Sequence, residues 1–559
     1  MTANALVDCG EGVTLERGVG LRLSDGTVLR SDHYYPPGGA KQPTLLMRQP
    51  YGRDIASTVV YAHPVWFARR GYNVVIQDVR GRGGSEGAFY PFRHEGRDGA
   101  ETIAWLRSRP ESNGRIGMYG FSYQGMTQWL AAAEQPVGLQ CIAPAMTAAD
   151  LYRGWFYHNG ALRLGSSLGW GLQMLKEDAV RLGLHDARAR LQAAWTNLPS
   201  QAQALPYSEH PAIVGAALPS YVRDWIAHDA AGEYWTAMDV SERAEKIAVP
   251  ALHVSGWYDT YLEGSVAGFE LLRQRSPARE QQYLLAGPWM HIPWGDRAGE
   301  MRWGEAALLD TDALLLRWFD HWLKDAGTWD GEPRVRHFAL GANEWCKAED
   351  SCGTAVRTLF LHSGGRAESR KGDGTLSDVA AQGEPADVFV YDPEVPVASP
   401  IAGADQSTIE MGNNLLVYTG EPLASEMHVF GRPKVALYAK TSATHADLTA
   451  KLVRVLAGGR AEFCCIGIAR SSALFAEYKP DTVQRWEFAL EPTSTVFAAG
   501  ERVRLEFAGG AFPLYDRSPS NETKPSRMSP WNWERSTHTV LHDAEHVSVL
   551  TLPVVEARA

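Results

Sequence analysis

Apolar runs of strand length alternate with helix-like segments over the first part of the chain, which predicts a largely parallel sheet. Residues 12–36 begin this sheet, because apolar and polar positions alternate there around a turn at Ser24-Asp25-Gly26, as in an antiparallel hairpin. The later strand runs are 43–48, 72–78, 115–119, 250–256 and 282–287, of which 282–287 is predicted to be the last. The predicted helices are 57–70, 95–107, 126–133 and 305–324, and 305–324 closes this part of the chain.

Two long stretches depart from that alternation. Residues 149–240 are helix-like and rich in Ala, Leu and Trp, which predicts an inserted cap. From about residue 355, short alternating runs separated by Gly, Pro and Asp turns predict an all-β sandwich, for which a jelly roll is one suitable arrangement. The predicted division is a first α/β part (1–148), the helical cap (149–240), a second α/β part (241–352) and the β-sandwich (353–559).

The composition is ordinary for a soluble globular protein. With 559 residues, 45% of them hydrophobic and 21% charged, it is long enough for several domains, each with its own core. A formal charge of -11 and a pI near 5.9 argue against a nucleic-acid or anionic-membrane partner, because those partners require clustered Lys and Arg. The 19 tryptophans suggest aromatic-lined surfaces or pockets.

The sequence contains no secretory-type segment and no apolar window of membrane-spanning length, so a cytoplasmic protein is expected. The six cysteines form no C-x-x-C pair and no metal-ligand spacing, and we expect neither a metal nor another cofactor. Buried thiols are the simpler interpretation, although Cys346 and Cys352 could pair in an exported protein. No sequence feature decides between a monomer and a homodimer.

Candidate chemistry is concentrated at Ser122, in the sequence Gly117-Met-Tyr-Gly-Phe-Ser-Tyr-Gln-Gly125. An apolar strand run precedes the serine and a helical run follows it, so Ser122 is predicted to lie on the sharp strand-to-helix turn where an α/β-hydrolase keeps its nucleophile. Gly120 and Gly125 let the strand and helix backbones approach closely. Amide groups of the first helical turn are then available to an oxyanion. A Gly-x-Ser spacing by itself is common in solvated loops.

Two further residues supply the partners that a serine nucleophile needs. Asp259 and His291 each follow a predicted strand, and the order Ser122, Asp259, His291 is the α/β-hydrolase order of nucleophile, acid and base. Taken alone, Asp259 could be a helix cap and His291 a structural hydrogen-bonding residue. Three agreeing placements favour a catalytic triad. The glycine-rich loop at 79–87 lacks the Lys-Ser/Thr ending of a phosphate-binding loop, so it is interpreted as a tight turn beside the site.

At this point the sequence resembles the cocaine esterase group of the X-prolyl dipeptidyl-peptidase-like serine hydrolases, over nearly the whole chain. The motifs that carry the resemblance are Gln49-Pro-Tyr51, Asp78-Val-Arg-Gly-Arg-Gly-Gly-Ser85, Gly120-Phe-Ser-Tyr-Gln-Gly125, Gly256-Trp-Tyr-Asp259 and Gly287-Pro-Trp-Met-His291. Gln124 stands where a plain G-x-S-x-G motif has glycine, and it fits the Gly-x-Ser-Tyr-x-Gly form of this family.

The resemblance implies an α/β fold class: an α/β-hydrolase core with an inserted helical cap and a C-terminal jelly roll marked by residues 512–517. It implies that the Tyr51 hydroxyl and the Tyr123 backbone N–H form the oxyanion hole. It also implies that Trp155, Trp170 and Tyr261 form aromatic walls for the acyl group. From the residues alone, Tyr51 would be a packed loop aromatic, and the two tryptophans could equally be core residues of the cap.

Two departures from the family pattern affect the substrate. Relatives that cleave α-amino acid esters hold the substrate ammonium with carboxylates two and three residues after the catalytic Asp, where this chain has Tyr261 and Leu262. In cocaine esterase a jelly-roll loop adds a bulky apolar pair to the acyl pocket, whereas the stretch 398–406 here has small and polar residues around Ile401.

We therefore predict a serine carboxylesterase that cleaves small-molecule esters of bulky or aromatic acyl groups through an acyl-enzyme. An X-Pro dipeptidyl-peptidase or amidase is the alternative within the same chemistry. A non-catalytic binding protein is the alternative of another class, suggested by the C-terminal sandwich. The complete triad argues against that last alternative.

Overall fold

A computed structural model describes residues 6–54, 58–218 and 220–556. In the described part of the chain the first fifteen strands are β1 (Leu6–Asp8), β2 (Thr14–Arg22), β3 (Val28–Tyr35), β4 (Gln42–Gln49), β5 (Asn73–Asp78), β6 (Ser112–Phe121), β7 (Leu139–Ala145), β8 (Tyr157–His158), β9 (Ala161–Leu162), β10 (Ala251–Tyr258), β11 (Gln282–Met290), β12 (Arg297–Ala298), β13 (Met301–Arg302), β14 (Val335–Ala339) and β15 (Glu344–Ala348). Eleven of these strands form one sheet in the order β1-β2-β3-β5-β4-β6-β7-β10-β11-β14-β15.

The middle of this sheet, from β5 to β14, is parallel, and antiparallel strands complete it at both edges. Its strands are buried over nearly their whole length, as expected when helices cover both faces of a parallel sheet. The α-helices of the described residues are α1 (Pro64–Ala68), α2 (Glu95–Ser108), α3 (Tyr123–Ala133), α4 (Leu164–Arg181), α5 (His185–Trp195), α6 (Leu198–Gln203), α7 (Pro211–Val214), α8 (Tyr221–Ala227), α9 (Glu233–Thr236), α10 (Leu262–Arg275), α11 (Thr311–Lys324) and α12 (Ser471–Leu474).

Three predictions for this part of the chain were wrong in detail. The helix predicted over 57–70 is only α1, because Pro64 and the side chain of His63 start the helix late; residues 55–57 lie outside the described part. The helix predicted over 305–324 begins at residue 311, since Asp310 caps it by accepting a hydrogen bond from the Ala313 amide. Strand 282–287 is not the last strand, because β14 and β15 extend the same sheet after α11.

Between β7 and β10 the chain forms a separate helical layer of α4 to α9. It opens with a π-helical turn (Tyr152–Phe156) and the short hairpin β8–β9, which the helical composition of the segment did not reveal. The turn carries Trp155 and α4 carries Trp170, so the aromatic residues of this layer are brought together close to the sheet.

The rest of the described chain is all-β. Its strands are β16 (Ala355–His362), β17 (Thr375–Ser377), β18 (Asp387–Tyr391), β19 (Leu415–Gly420), β20 (Met427–Gly431), β21 (Lys434–Thr441), β22 (Asp447–Val455), β23 (Ala461–Arg470), β24 (Gln484–Ala489), β25 (Thr493–Phe497), β26 (Arg502–Ala508), β27 (Ser536–Leu541) and β28 (Val549–Val554). They join in one mainly antiparallel network that encloses a core including Leu437, Trp486 and Phe507. The predicted fold class, an α/β core with a C-terminal all-β part, is confirmed.

Candidate active site

Ser122 occupies the turn between β6 and α3, and its backbone is strained. Its φ is 60° and its ψ is -127°, a conformation that a side chain with Cβ rarely adopts. The surroundings hold this conformation: the Ser122 amide donates to the Ala145 carbonyl on β7 at 2.8 Å, and the Ser122 carbonyl accepts from the amide of Gly125 at 2.9 Å. The serine side chain is thereby presented at the carboxyl end of the parallel strands.

Small residues and two glutamines fix the geometry of this turn. A Cβ on Gly120, whose φ is 135°, would lie 2.5 Å from the Gln124 Cβ, so this position requires glycine. The Gln124 side chain accepts a hydrogen bond from the Phe121 amide at 3.1 Å. Gln128 donates to the Gly120 carbonyl at 3.0 Å and accepts from the Ala143 amide at 2.9 Å, which ties β6, α3 and β7 together.

Asp259 and His291 lie at the ends of the neighbouring strands β10 and β11 and are hydrogen-bonded to each other. Nδ1 of His291 is 2.8 Å from Oδ1 of Asp259, whose side chain is fully buried. Because Nδ1 is engaged by the carboxylate, Nε2 is the nitrogen that remains for a reaction partner. The His291 side chain keeps 28% of its surface exposed, so the imidazole lies at the boundary between the core and the substrate space.

Aromatic neighbours position the imidazole next to the serine turn. The ring of Phe121, the residue before Ser122, lies 5.4 Å from the His291 ring, and the Tyr261 ring lies 5.2 Å from it, edge to face. Trp294 donates its indole N–H to the His291 carbonyl at 3.1 Å and stacks on Trp289. These contacts fix the loop that carries His291.

Tyr51 follows β4 and lies beside the serine. Its hydroxyl lies near the side chains of Ser122 and Trp170. Burial raises the pKa of Tyr51 to about 12, against smaller lowering effects from those two groups and from the charge of Arg82. The phenol is therefore a neutral hydrogen-bond donor over the whole physiological pH range.

Tyr123 has its side chain in the core and its amide at the turn. The phenol donates to Glu95 at 2.8 Å and accepts from the Phe92 amide at 3.0 Å. Glu95 is itself paired with Arg48 at 2.9 Å. As the first residue of α3, Tyr123 has an N–H with no acceptor one turn earlier in the helix, so this N–H is available next to Ser122.

The three residues predicted to line the acyl site form one aromatic wall. The Trp155 and Tyr261 rings are stacked at 4.2 Å, and the Trp170 ring lies 5.6 Å from Trp155. Trp155 and Tyr261 are almost fully buried and Trp170 is partly buried. Since the Tyr261 ring contacts the His291 ring and Trp170 lies near Tyr51, this wall lies next to the predicted catalytic residues.

Four carboxylates in the surroundings of this wall are each paired with an arginine. The pairs are Glu95–Arg48 at 2.9 Å, Asp178–Arg82 at 3.0 Å, Glu263–Arg432 at 3.1 Å and Glu491–Arg163 at 3.0 Å. A carboxylate paired in this way is already satisfied by a permanent cation. The two positions after Asp259 that carry carboxylates in those relatives add no charge here, because Tyr261 and Leu262 are both buried and uncharged.

The glycine-rich loop at 79–87 connects the sheet to the helical layer. The Asp78 carboxylate accepts hydrogen bonds from the amides of Arg53 and Gly84, which closes the turn. Arg82 reaches out of the loop to Asp178 on α4, while Arg181 of α4 donates back to the carbonyls of Gly83 and Ser85. The loop therefore holds in place the helix that carries Trp170.

Several residues of the site were not singled out from the sequence. Phe121 and Trp294 position His291, Glu95 anchors Tyr123, and Arg82 links the loop to α4. The closeness of Trp294 to His291 in the chain was a usable signal. The partners of Glu95 and Arg82 lie far away in the chain and were not.

Other predicted features were checked in the described ranges. Residues 6–54, 58–218 and 220–556 contain no helix with the length and apolar composition that crossing a bilayer requires. In the same ranges no group of three His, Cys, Asp or Glu side chains is arranged to hold a metal ion. Cys346 and Cys352 are both free thiols.

Comparison with known proteins relates the two halves of the chain to one family. Residues 25–293 match the family model described as X-Pro dipeptidyl-peptidase (S15 family). Residues 327–551 match the X-Pro dipeptidyl-peptidase C-terminal non-catalytic domain. Cocaine esterase from Rhodococcus sp. (strain MB1 Bresler) is 32% identical, over 96% of this chain and 97% of its own.

A more distant relative agrees with this family assignment, and a solved structure agrees with the fold. A putative serine esterase from Mycobacterium bovis (strain ATCC BAA-935 / AF2122/97) is 25% identical, over 87% of this chain and 89% of its own. The structure of an α-amino acid ester hydrolase superposes with a TM-score of 0.80 at 23% identity, and the match covers 99% of each chain. At that identity the superposition shows a shared fold.

Proposed function

Because the chain belongs to the X-Pro dipeptidyl-peptidase (S15) family, we propose that Ser122, His291 and Asp259 form its catalytic triad. We also propose that the enzyme cleaves esters of neutral, bulky or aromatic acyl groups. The protein is a serine carboxylesterase acting on small-molecule esters. The observation that carries the proposed triad is the 2.8 Å contact between His291 Nδ1 and Asp259, at the ends of two strands of the sheet that also carries the strained Ser122 turn.

In the proposed mechanism His291 is the general base. Its Nε2 takes the Ser122 hydroxyl proton as Oγ attacks the ester carbonyl, and Asp259 holds the proton on Nδ1 and stabilises the imidazolium. The tetrahedral intermediate expels the alcohol, which takes its proton from His291, and an acyl-enzyme remains on Ser122. Water then attacks the acyl group with His291 again as base, which releases the carboxylic acid and restores the serine.

Tyr51 and Tyr123 are proposed to stabilise the oxyanion. The Tyr51 hydroxyl lies near Ser122, and the Tyr123 N–H lies at the start of α3. Donors that are held in place before the reaction need no rearrangement when charge develops on the carbonyl oxygen. Helix α3 also directs the positive end of its dipole at this position.

The surroundings of the aromatic wall support a neutral acyl group. The partly buried Trp170, backed by the stacked rings of Trp155 and Tyr261, provides an apolar aromatic surface that suits an aryl or other bulky group. A substrate ammonium would need a carboxylate, but Glu263 is paired with Arg432, and Tyr261 and Leu262 are uncharged. Burying a neutral polar group without a hydrogen-bond partner costs about 2 to 7 kcal/mol. Burying an ammonium without a carboxylate partner costs more, because it carries a full charge.

Covalent labelling tests the proposed nucleophile. An aryl phosphonate that traps serine hydrolases should modify Ser122 alone, and loss of activity should follow the extent of modification. Ser122→Ala should lower kcat/KM for an aryl ester by about 10⁴-fold or more while the circular dichroism spectrum stays unchanged. Modification of another serine, with activity lost in proportion, would overturn the assignment.

Substrate selectivity tests the proposed substrate class. A benzoate ester should be cleaved at least about 100-fold better in kcat/KM than an α-amino acid ester or an X-prolyl amide, which corresponds to about 2.7 kcal/mol of transition-state binding. X-Pro dipeptidyl-peptidase activity is the second candidate function, because the matching family model is described by that activity. If the X-prolyl amide were the better substrate in a side-by-side assay, the peptidase function would replace the one proposed here.

A further inference from the structure

Phe92 lies between the glycine-rich loop and α2, in a strained backbone conformation. Its φ is 68°, which is in the left-handed region that favours glycine and that a bulky side chain rarely adopts. Residues other than glycine remain in this region only where their surroundings hold them, and such residues are concentrated at functional sites. Phe92 is only 2% exposed, so the fold places its ring in the core despite the conformational cost.

Phe92 contacts Tyr123 through both its backbone and its ring. The Phe92 amide donates a hydrogen bond to the Tyr123 hydroxyl at 3.0 Å. The two rings are stacked, with 4.7 Å between their centroids and 22° between their planes. Because the Tyr123 hydroxyl also donates to Glu95, the phenol is held from two sides. Phe92 therefore helps to fix the residue whose backbone N–H is proposed to bind the oxyanion.

The same ring contacts the aromatic wall. It lies 5.1 Å from the Trp155 ring, edge to face, and 5.8 Å from the Trp170 ring. The Trp170 ring is in turn 6.1 Å from the Tyr123 ring, so these four rings form one cluster. Protein interiors are packed about as densely as organic crystals, so a change at one ring of the cluster is felt by the others. Phe92 thus contacts both the acyl wall and a proposed oxyanion residue.

Residues on both sides of Phe92 anchor this segment to the rest of the molecule. On one side, the Tyr90 hydroxyl donates to Asp224 of α8 at 2.7 Å and lies 2.8 Å from the Tyr234 hydroxyl of α9. On the other side, Glu95 at the start of α2 is paired with Arg48 of β4 at 2.9 Å. These anchors connect the segment to the helical layer and to the sheet, and they hold the Phe92 ring against its aromatic neighbours.

We propose that Phe92 is a positioning residue that determines acyl-group selectivity, because it fixes Trp155 and Trp170 relative to the Tyr123 N–H. The inference rests on the proposed function, in which the acyl group packs on Trp170 while its carbonyl oxygen binds that N–H. An aryl acyl group makes both contacts at once, so its reaction depends on the spacing between them, and a misplacement of about 1 Å can cost roughly 100-fold in rate. An acetyl group has no ring to pack on the wall, so its reaction depends on the oxyanion donors alone.

The kcat/KM for 4-nitrophenyl benzoate divided by the kcat/KM for 4-nitrophenyl acetate tests the inference, because the two esters share one leaving group. Phe92→Leu removes the ring and should lower this ratio at least about tenfold. Phe92→Gly should do the same, and since glycine adopts a φ of 68° without strain, it tests the ring even if Phe92→Leu does not fold. Both variants keep the amide that donates to Tyr123, so kcat/KM for the acetate should change by less than about threefold.

Phe89→Leu is the matched control, because it removes a neighbouring ring that does not support the wall. In the described part of the chain the aromatic contacts of the Phe89 ring are Tyr123 at 6.0 Å and Tyr221 at 5.9 Å. Phe89→Leu should therefore leave the benzoate-to-acetate ratio within about twofold of the wild-type value.

The outcomes separate this inference from the proposed function. A merely structural role for Phe92 would lower kcat/KM for both esters by the same factor, and an unchanged ratio in Phe92→Leu or Phe92→Gly would overturn the inference alone. A fall of about tenfold in the ratio of Phe89→Leu would also overturn it, because the effect would then not depend on contact with the tryptophans. Wild-type protein that does not cleave the benzoate would overturn the proposed function, and this inference with it.

Discussion

At the scale of the residue, the site depends on side chains held by buried partners rather than on the reactive groups alone. Tyr123 illustrates this, because its phenol is fixed by Glu95 and by the Phe92 amide while its own amide stays at the serine turn. His291 is fixed in a similar way by Asp259 on one side and by the Trp294 contact to its carbonyl on the other. Such supports set the geometry to within the tolerance that catalysis requires.

Tyr51→Phe tests the proposed oxyanion donor. The substitution keeps the ring and removes the hydroxyl, so kcat should fall by about 10²- to 10³-fold with little change in KM, because the lost interaction exists mainly in the transition state. Steady-state kinetics on one aryl ester would measure this. An unchanged kcat would leave Tyr51 as a packing residue only.

The same tyrosine predicts how activity behaves at high pH. Its pKa is raised to about 12, so the phenol remains protonated and able to donate until the pH approaches that value. The wild-type kcat should therefore not decline through Tyr51 ionisation between about pH 8 and 10, the range around the ordinary tyrosine pKa. A decline in that range that disappears in Tyr51→Phe would show that the phenol ionises earlier than its burial implies.

At the scale of the element, the unit formed by β6, the turn and α3 determines where the nucleophile lies. The elements meet at small residues: Gly120 faces Gln124, and Gly125 faces Thr147, where a Cβ would lie 2.7 Å from the Thr147 Cγ2. The glutamines of α3 then bond back to β6 and across to β7. Strand, turn and helix consequently act as one rigid piece.

Gly120→Ala tests that rigidity. The added methyl group would lie 2.5 Å from the Gln124 Cβ, and alanine rarely adopts the φ of 135° found at this position. The free energy of unfolding should therefore fall by about 2 to 4 kcal/mol. Esterase activity of the folded fraction should also fall, because the turn must shift. Gly458→Ala is the matched control: no atom lies near its added Cβ and its stability should hardly change. Denaturant unfolding would measure the free energy of unfolding of the two variants. Equal values for Gly120→Ala and Gly458→Ala would contradict the packing argument.

At the scale of the whole molecule, a buried ion-pair cluster of the C-terminal β part also hydrogen-bonds to the helical layer. Arg470 of β23 is nearly buried and contacts Asp447 at 2.7 Å and Asp516 at 2.8 Å. It also donates to the carbonyl of Gly160 in the β8–β9 hairpin at 3.0 Å. Since that hairpin follows the turn carrying Trp155, the C-terminal part supports the aromatic wall from outside the hydrolase sheet.

Arg470→Ala tests this connection. Removing the guanidinium leaves two buried carboxylates unpaired, which should lower the free energy of unfolding by about 3 to 5 kcal/mol. Arg366→Ala, which breaks the exposed pair with Asp373, should cost no more than about 1 kcal/mol. Thermal unfolding of both variants provides the measurement, and a similar small effect in the two would show that the buried cluster does not stabilise the fold.

The sequence by itself determined the elements and the order of the chemistry. Apolar period and strand length located β4, β5, β6, β10 and β11, because a strand covered on both faces must be apolar along its own length. The sequence also predicted the turn at Ser122 and the positions of Asp259 and His291 directly after strands. These features could be predicted because they depend on neighbouring residues in the chain. The order of strands in the C-terminal part did not follow from periodicity.

Only the tertiary structure decided which distant groups meet. It brought Trp155 onto Tyr261, although the two lie 106 positions apart, and paired Glu263 with Arg432 from the C-terminal part. It also limited α1 to five residues and added β14 and β15 to the sheet. These outcomes depend on strand register and on burial against remote surfaces, and both are settled by the packing of the whole chain rather than by any local stretch.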